Sequence, residues 1–74
     1  MIEKGHLLQL APMDHLLRKA GAERVSATAK KALRQVLEEF AIRLSRKAIV
    51  FANHAGRTTI KGEDVLLASK QLKR

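Results

Sequence analysis

The chemistry open to this chain is that of positive charge. It has 15 Lys and Arg against 7 Asp and Glu, a formal net charge of +8 on 74 residues. A surface of that sign collects a polyanion, nucleic acid first and an anionic membrane second. The cations recur along the whole length, at Arg18 and Arg24, at Lys30, Lys31 and Arg34, at Arg43, Arg46 and Lys47, and at Arg57 and Lys61. Lys30 and Arg34 are four residues apart, where like charges on one helix face repel unless a counter-charge gathers them. Other chemistry is poorly provided for. There is no cysteine nucleophile, no glycine-rich phosphate loop and no pair of carboxylates with an obvious cleft. Ser26 and Ser45 read as helix residues, and His6 and His15 are too scattered to hold a metal. The expectation is a binding protein that is not an enzyme, with no cofactor, metal site or small-molecule substrate.

These cations need elements to position them, and Gly and Pro punctuate the chain where elements would begin and end. Leu7, Leu8 and Leu10 offer the N-terminal stretch an apolar anchor. Pro12 suits a first helical turn, where its missing N–H is no loss. Met13, Leu16, Leu17 and Ala20 then follow at i, i+3, i+4 and i+7, and Gly21 suits the position after a helix end. The spacing predicts a short helix over Ala11–Ala20. Ser26 is a good N-cap, and no breaker follows until Gly56. Leu33, Leu37, Phe40, Leu44, Ala48, Phe51 and Ala55 recur at spacings of three and four, predicting one long helix from Ala27 to about Ala55. Arg57–Ile60 forms a second loop, whose Thr58 and Thr59 favour extended backbone. A last helix begins near Lys61–Gly62, with Glu63 and Asp64 in the first turn and Lys70, Lys73 and Arg74 at the end, both in the sense the helix dipole favours.

The long helix decides the architecture. At 1.5 Å per residue it spans roughly 43 Å, more than two short helices of one small chain can cover. Ile42, Ile49 and Val50 widen its apolar surface beyond one stripe, so more than one face needs cover. A chain this short, with no disulfide and only 3% aromatic residues, builds a modest core and gains from a partner. The natural partner is a second copy of the same helix.

The order short helix, loop, long helix, loop, short helix resembles the histone fold. The segments Ala20-Gly21-Ala22-Glu23-Arg24-Val25-Ser26, Leu37-Glu38-Glu39 and His54-Ala55-Gly56-Arg57-Thr58-Thr59-Ile60-Lys61-Gly62-Glu63-Asp64-Val65 resemble the tail-less histones of archaea, which have a few relatives in bacteria. The likeness covers about Leu10 to Arg74, leaving residues 1–10 as an N-terminal extension and 11–74 as the histone-fold domain. It implies an all-α histone fold in an antiparallel handshake dimer, with DNA contacts at the paired loops and at the paired N-termini of the first helices.

Carried over residue by residue, the resemblance makes Arg24 the arginine that enters the minor groove. A narrow minor groove concentrates negative potential there without asking for a base-specific partner. Thr59, beside Thr58, meets that arginine from the partner's second loop. Arg18 and Lys61 match positions that face phosphate, and Lys30, Lys31 and Arg34 lie near the same path. Arg57 and Asp64 match an intrachain ion pair bracing the second loop. Phe51, His54 and Asp64 match a contact between dimers that builds tetramers or longer assemblies. The chain departs from its relatives at Ala27 and Thr28 after the cap, at His15, Thr58 and Asn53, and at Lys47, a place often acidic.

The function this implies is a DNA-binding chromatin or nucleoid protein that dimerises and wraps or compacts double-stranded DNA with little sequence specificity. No helix offers a face rich in Asn, Gln and Arg for base edges. The alternative is one subunit of a histone-fold heterodimer in a transcription complex. No uncharged apolar run approaches the about 20 residues of a membrane span, and the N-terminus is too polar for a secretory signal. The expected place is therefore the cytoplasm, on the chromosome, with no membrane partner.

Overall fold

A computed structural model describes residues 6–72. Their regular structure is three α-helices: α1 (Leu10–Lys19), α2 (Ala27–His54) and α3 (Gly62–Leu72), of 10, 28 and 11 residues. There is no strand among the described residues. This is the all-α, short–long–short order expected from the sequence. The bounds differ from the sequence expectation by a residue at each end of α1 and at the end of α2. Thr58 and Thr59 form a bend. Lys73 and Arg74, expected at the end of the last helix, lie outside the described residues, as do the first five residues of the extension.

Local chemistry explains each boundary. Helix α1 ends in a Schellman motif: Gly21 N–H donates to the Arg18 carbonyl and Ala22 N–H to the Leu17 carbonyl, both at 3.0 Å. Gly21 sits at φ +118°, where an L side chain is strained. Helix α2 ends the same way, with Gly56 at φ +75° donating to Asn53 at 2.9 Å and Arg57 N–H donating to Ala52 at 3.0 Å. Its start is fixed by Ser26, whose hydroxyl accepts the Ala29 N–H at 3.1 Å. Helix α3 is capped from inside, because Asp64 reaches back to accept the Lys61 backbone N–H at 2.8 Å, one half of a capping box.

Two compact units divide the chain, Met1–Glu39 and Phe40–Arg74. The first holds α1 and the start of α2, with Met13 buried and Leu17, Leu33 and Leu37 half-buried. The second holds the rest of α2 and α3, with Ala48, Ala52 and Ala68 buried and Leu44 and Phe51 half-buried. One methionine and three alanines are thus the whole of the buried apolar core among the described residues.

The N-terminal segment is tied down by polar groups, and Leu7 does not act as an apolar anchor: it is 89% exposed. Glu38 of α2 holds the segment, accepting the Leu7 and Leu8 backbone N–H groups at 2.9 and 2.8 Å and meeting His6 Nδ1 at 3.0 Å. These bonds, His6 first, hold the Glu38 carboxyl below its ordinary range.

Candidate nucleic-acid interface

The first loop presents Arg24. The residues on both sides of it are pinned. Before it, Arg18 Nη1 donates to the Glu23 carbonyl at 3.0 Å, while Arg18 Nε is held by Asp14 at 3.0 and 3.2 Å. After it, Val25 is half-buried and Ser26 caps α2. Arg24 itself is exposed and makes no ion pair with a described residue, Glu23 included. An arginine held only by its backbone keeps its full fork of donors for an anion. Arg18 already has one carboxylate, so any charge it offers a phosphate is partly neutralised.

The second loop is organised by Arg57 and Asp64. Arg57 Nη1 donates to Asp64 Oδ2 at 2.9 Å and Nη2 to Oδ1 at 3.1 Å, a bidentate pair. Nη1 also donates to the Thr59 carbonyl at 3.0 Å, and Nη2 lies 3.5 Å from Glu63. One guanidinium therefore joins the end of α2, the loop backbone and the first turn of α3. Asp64 is only 4% exposed. The Arg57 guanidinium first, and then the Lys61 N–H, hold its carboxyl at about 2 against an ordinary 3.8. The hydrogen bond to Asp64 in turn raises Arg57 above its ordinary value. Thr58, Thr59 and Lys61 are exposed on the loop so fixed.

On α2, Lys31 is exposed while Lys30 and Arg34 are half-buried. Arg34 Nε is buried without a partner among the described residues, so part of that guanidinium faces inward. At the other end, His54 is exposed and Phe51 half-buried. Asp64 accepts three bonds from its own chain and is 4% exposed, so little of its carboxylate is open to a histidine from outside. Among the described residues no group of three or more His, Cys, Asp or Glu is placed to hold a metal.

Two contacts here escaped sequence reasoning. The Glu38 clamp joins positions 30 to 32 apart, which no local pattern reveals. The Arg18–Glu23 bond ends on a carbonyl, which every residue has. The inner cap of α3 did leave a signal, an acid three residues after the first capping position.

Comparison with known proteins places this arrangement. The family described as histone-like transcription factor (CBF/NF-Y) and archaeal histone matches residues 6–68. The chain is 62% identical over 63 residues to an archaeal histone HAN1 subunit of Thermococcus zilligii, spanning 85% of this chain and 94% of that protein. It is 48% identical over 61 residues to "Probable archaeal histone 3" of Methanocaldococcus jannaschii, spanning 82% and 91%.

Proposed function

The chain belongs to the family of histone-like transcription factors and archaeal histones, and from that premise we propose that it is a homodimeric chromatin protein that compacts double-stranded DNA through its phosphate backbone and minor groove. Family membership also settles what it is not, an enzyme. No helix among the described residues is long and apolar enough to cross a membrane.

The observation that carries the reading is what one chain leaves uncovered. Among the described residues the buried apolar core is Met13 and three alanines, while Val36 is 59%, Ile42 49%, Ile49 44% and Leu66 66% exposed. Fully burying a Leu, Ile or Val from full exposure stabilises by about 1.5–3 kcal/mol, so covering these half-exposed side chains contributes roughly half of that each. A second copy of α2, antiparallel in a handshake, supplies that cover. In such a dimer Arg24 of one chain lies beside Thr58 and Thr59 of the other and enters the minor groove. Lys61 and the Nη2 edge of Arg18 face phosphates, with Lys30, Lys31 and the outer part of Arg34 along the same path. Arg57 and Asp64 brace the second loop and do not meet DNA. Phe51, His54 and Asp64 carry the contact between dimers, with His54 of one copy meeting Asp64 of another. The expected location is the cytoplasm, on the chromosome.

Reconstitution on long duplex DNA followed by micrococcal nuclease digestion tests the reading. A ladder of regularly spaced fragments supports dimers adding side by side and wrapping DNA. A smear with intact binding removes wrapping and the Phe51–His54 contact. No protection at low salt removes the chromatin reading.

A second reading, one subunit of a heterodimer in a transcription complex, draws on two observations. The matched family is described as including transcription factors, and one relative is named as a subunit. It predicts an unfolded monomer until another protein is added, and a folded dimer of the pure chain excludes it.

A further inference from the structure

The interface proposed above leaves three cations of α2 unused. Residues 40–74 contain eight Lys and Arg but only two acids, Glu63 and Asp64, and Arg57 contacts both. From Phe40 to Gly62 there is no acid at all. Arg43, Arg46 and Lys47 fall in that stretch at i, i+3 and i+4, so on α2 they share about 100° of arc. Like charges at those spacings repel. Arg43 and Arg46 are exposed and Lys47 half-buried, and none is ion-paired to a described residue. Arg43 rests 5.7 Å above the Phe40 ring, which steadies its guanidinium without neutralising it.

The place of this arc matters as much as its charge. Ala48 and Ala52, the buried positions of the same helix segment, lie about 180° around the axis from the centre of the arc. The exposed Ile42 and Ile49 lie about a quarter turn to one side. A second copy that covers Ile42 and Ile49 comes in from that flank and leaves Arg43, Arg46 and Lys47 open; Val50, 44% exposed, lies one turn further along the basic arc and is not covered from that side. Arg46 stands about 15 Å along the helix from Gly56 and the second loop, too far to share the phosphates that Thr58, Thr59 and Lys61 would meet.

We infer that Arg43, Arg46 and Lys47 form a second polyanion face, which takes the phosphate backbone of another duplex and lets one dimer bridge two DNA segments. The inference rests on the proposed DNA binding and adds a distinct site to it. A duplex fits because it offers a row of phosphates with no geometric demand beyond charge.

The test is capture: a duplex fixed to beads, the full chain, and a labelled second duplex in solution. The wild type is expected to retain the labelled duplex. The variant with Arg43→Gln, Arg46→Gln and Lys47→Gln is expected still to saturate the fixed duplex at low salt yet retain at least about fivefold less of the second, with unchanged helicity and dimer mass. If the wild type binds the fixed duplex but captures no second one, the inference falls and the DNA-binding reading stands. If it binds no duplex, both fall. Equal capture by the variant overturns the inference. So does a variant that has lost its dimer mass, because the arc would then hold a protein partner. A two-cation variant, Arg43→Gln with Lys47→Gln, keeps the test open should the triple variant not fold, and an intermediate loss of capture is expected of it.

Discussion

Arg57 and Asp64 make the second loop depend on one proton. Asp64 titrates at about 2 in the folded chain against an ordinary 3.8, so the fold favours its ionised form. That stabilisation is fully present above about pH 4 and is lost as pH falls through the folded value. Thermal melts between pH 5 and about pH 2 should show a falling Tm in the wild type and a flatter, lower profile in Asp64→Asn. Parallel profiles would remove the pair from the account. Arg24 makes a different prediction, because its side chain pairs with no described residue. Arg24→Ala should leave Tm unchanged and flatten the dependence of log K on log salt by about 0.9 for each phosphate charge no longer met. Anisotropy titrations at several salt concentrations read this directly, and a lowered Tm with an unchanged slope would make Arg24 a structural residue.

At the scale of elements, the helix ends were legible because their signals are local. Ser26, Gly21 and Gly56 each stand where a cap or a left-handed residue is needed, and each takes that part. Ser26→Ala should cost about 1 kcal/mol in denaturant unfolding. Gly21→Ala and Gly56→Ala should each cost roughly 1–2 kcal/mol. The reason is φ and not space, since an added Cβ at either meets nothing within 4 Å. Gly62 provides the contrast: it sits in the first turn of α3 without a positive φ and also has open space. Gly62→Ala should stabilise by about 0.5 kcal/mol through the unfolded chain, and a loss of similar size would contradict the conformational argument. What was not legible has physical causes too. The Glu38 clamp depends on three donors brought from 30 or more positions away, and sequence spacing carries no record of such an approach. Of the leucines that suggest an apolar anchor, Leu7 is exposed and Leu10 half-buried, and the Glu38 carboxylate accepts the Leu7 and Leu8 N–H groups. The half-turned Arg34 was equally hidden, because three neighbouring cations on one helix look alike until their burial is known.

For the whole molecule, helix periodicity could mark which residues of α2 are apolar but not which of them the chain itself would cover. Only Ala48 and Ala52 of α2 are buried, and Ile42 and Ile49 remain open for another chain. Sedimentation equilibrium should find a dimer. Ile42→Asp with Ile49→Asp should yield an unfolded or monomeric chain, since each change gives up roughly 1 kcal/mol of burial at the interface and puts a charge in its place. A folded dimer of that variant would move the interface elsewhere.

The central claim is that a dimer of this chain holds double-stranded DNA by its backbone, whatever the sequence. The most direct test is the affinity for two unrelated duplexes of equal length and similar flexibility, measured from about 50 to 200 mM salt. Parallel lines for the two sequences and a loss of roughly 10³-fold across that range are expected. A shallow line, or one duplex bound far more tightly than the other at every salt concentration, would contradict it.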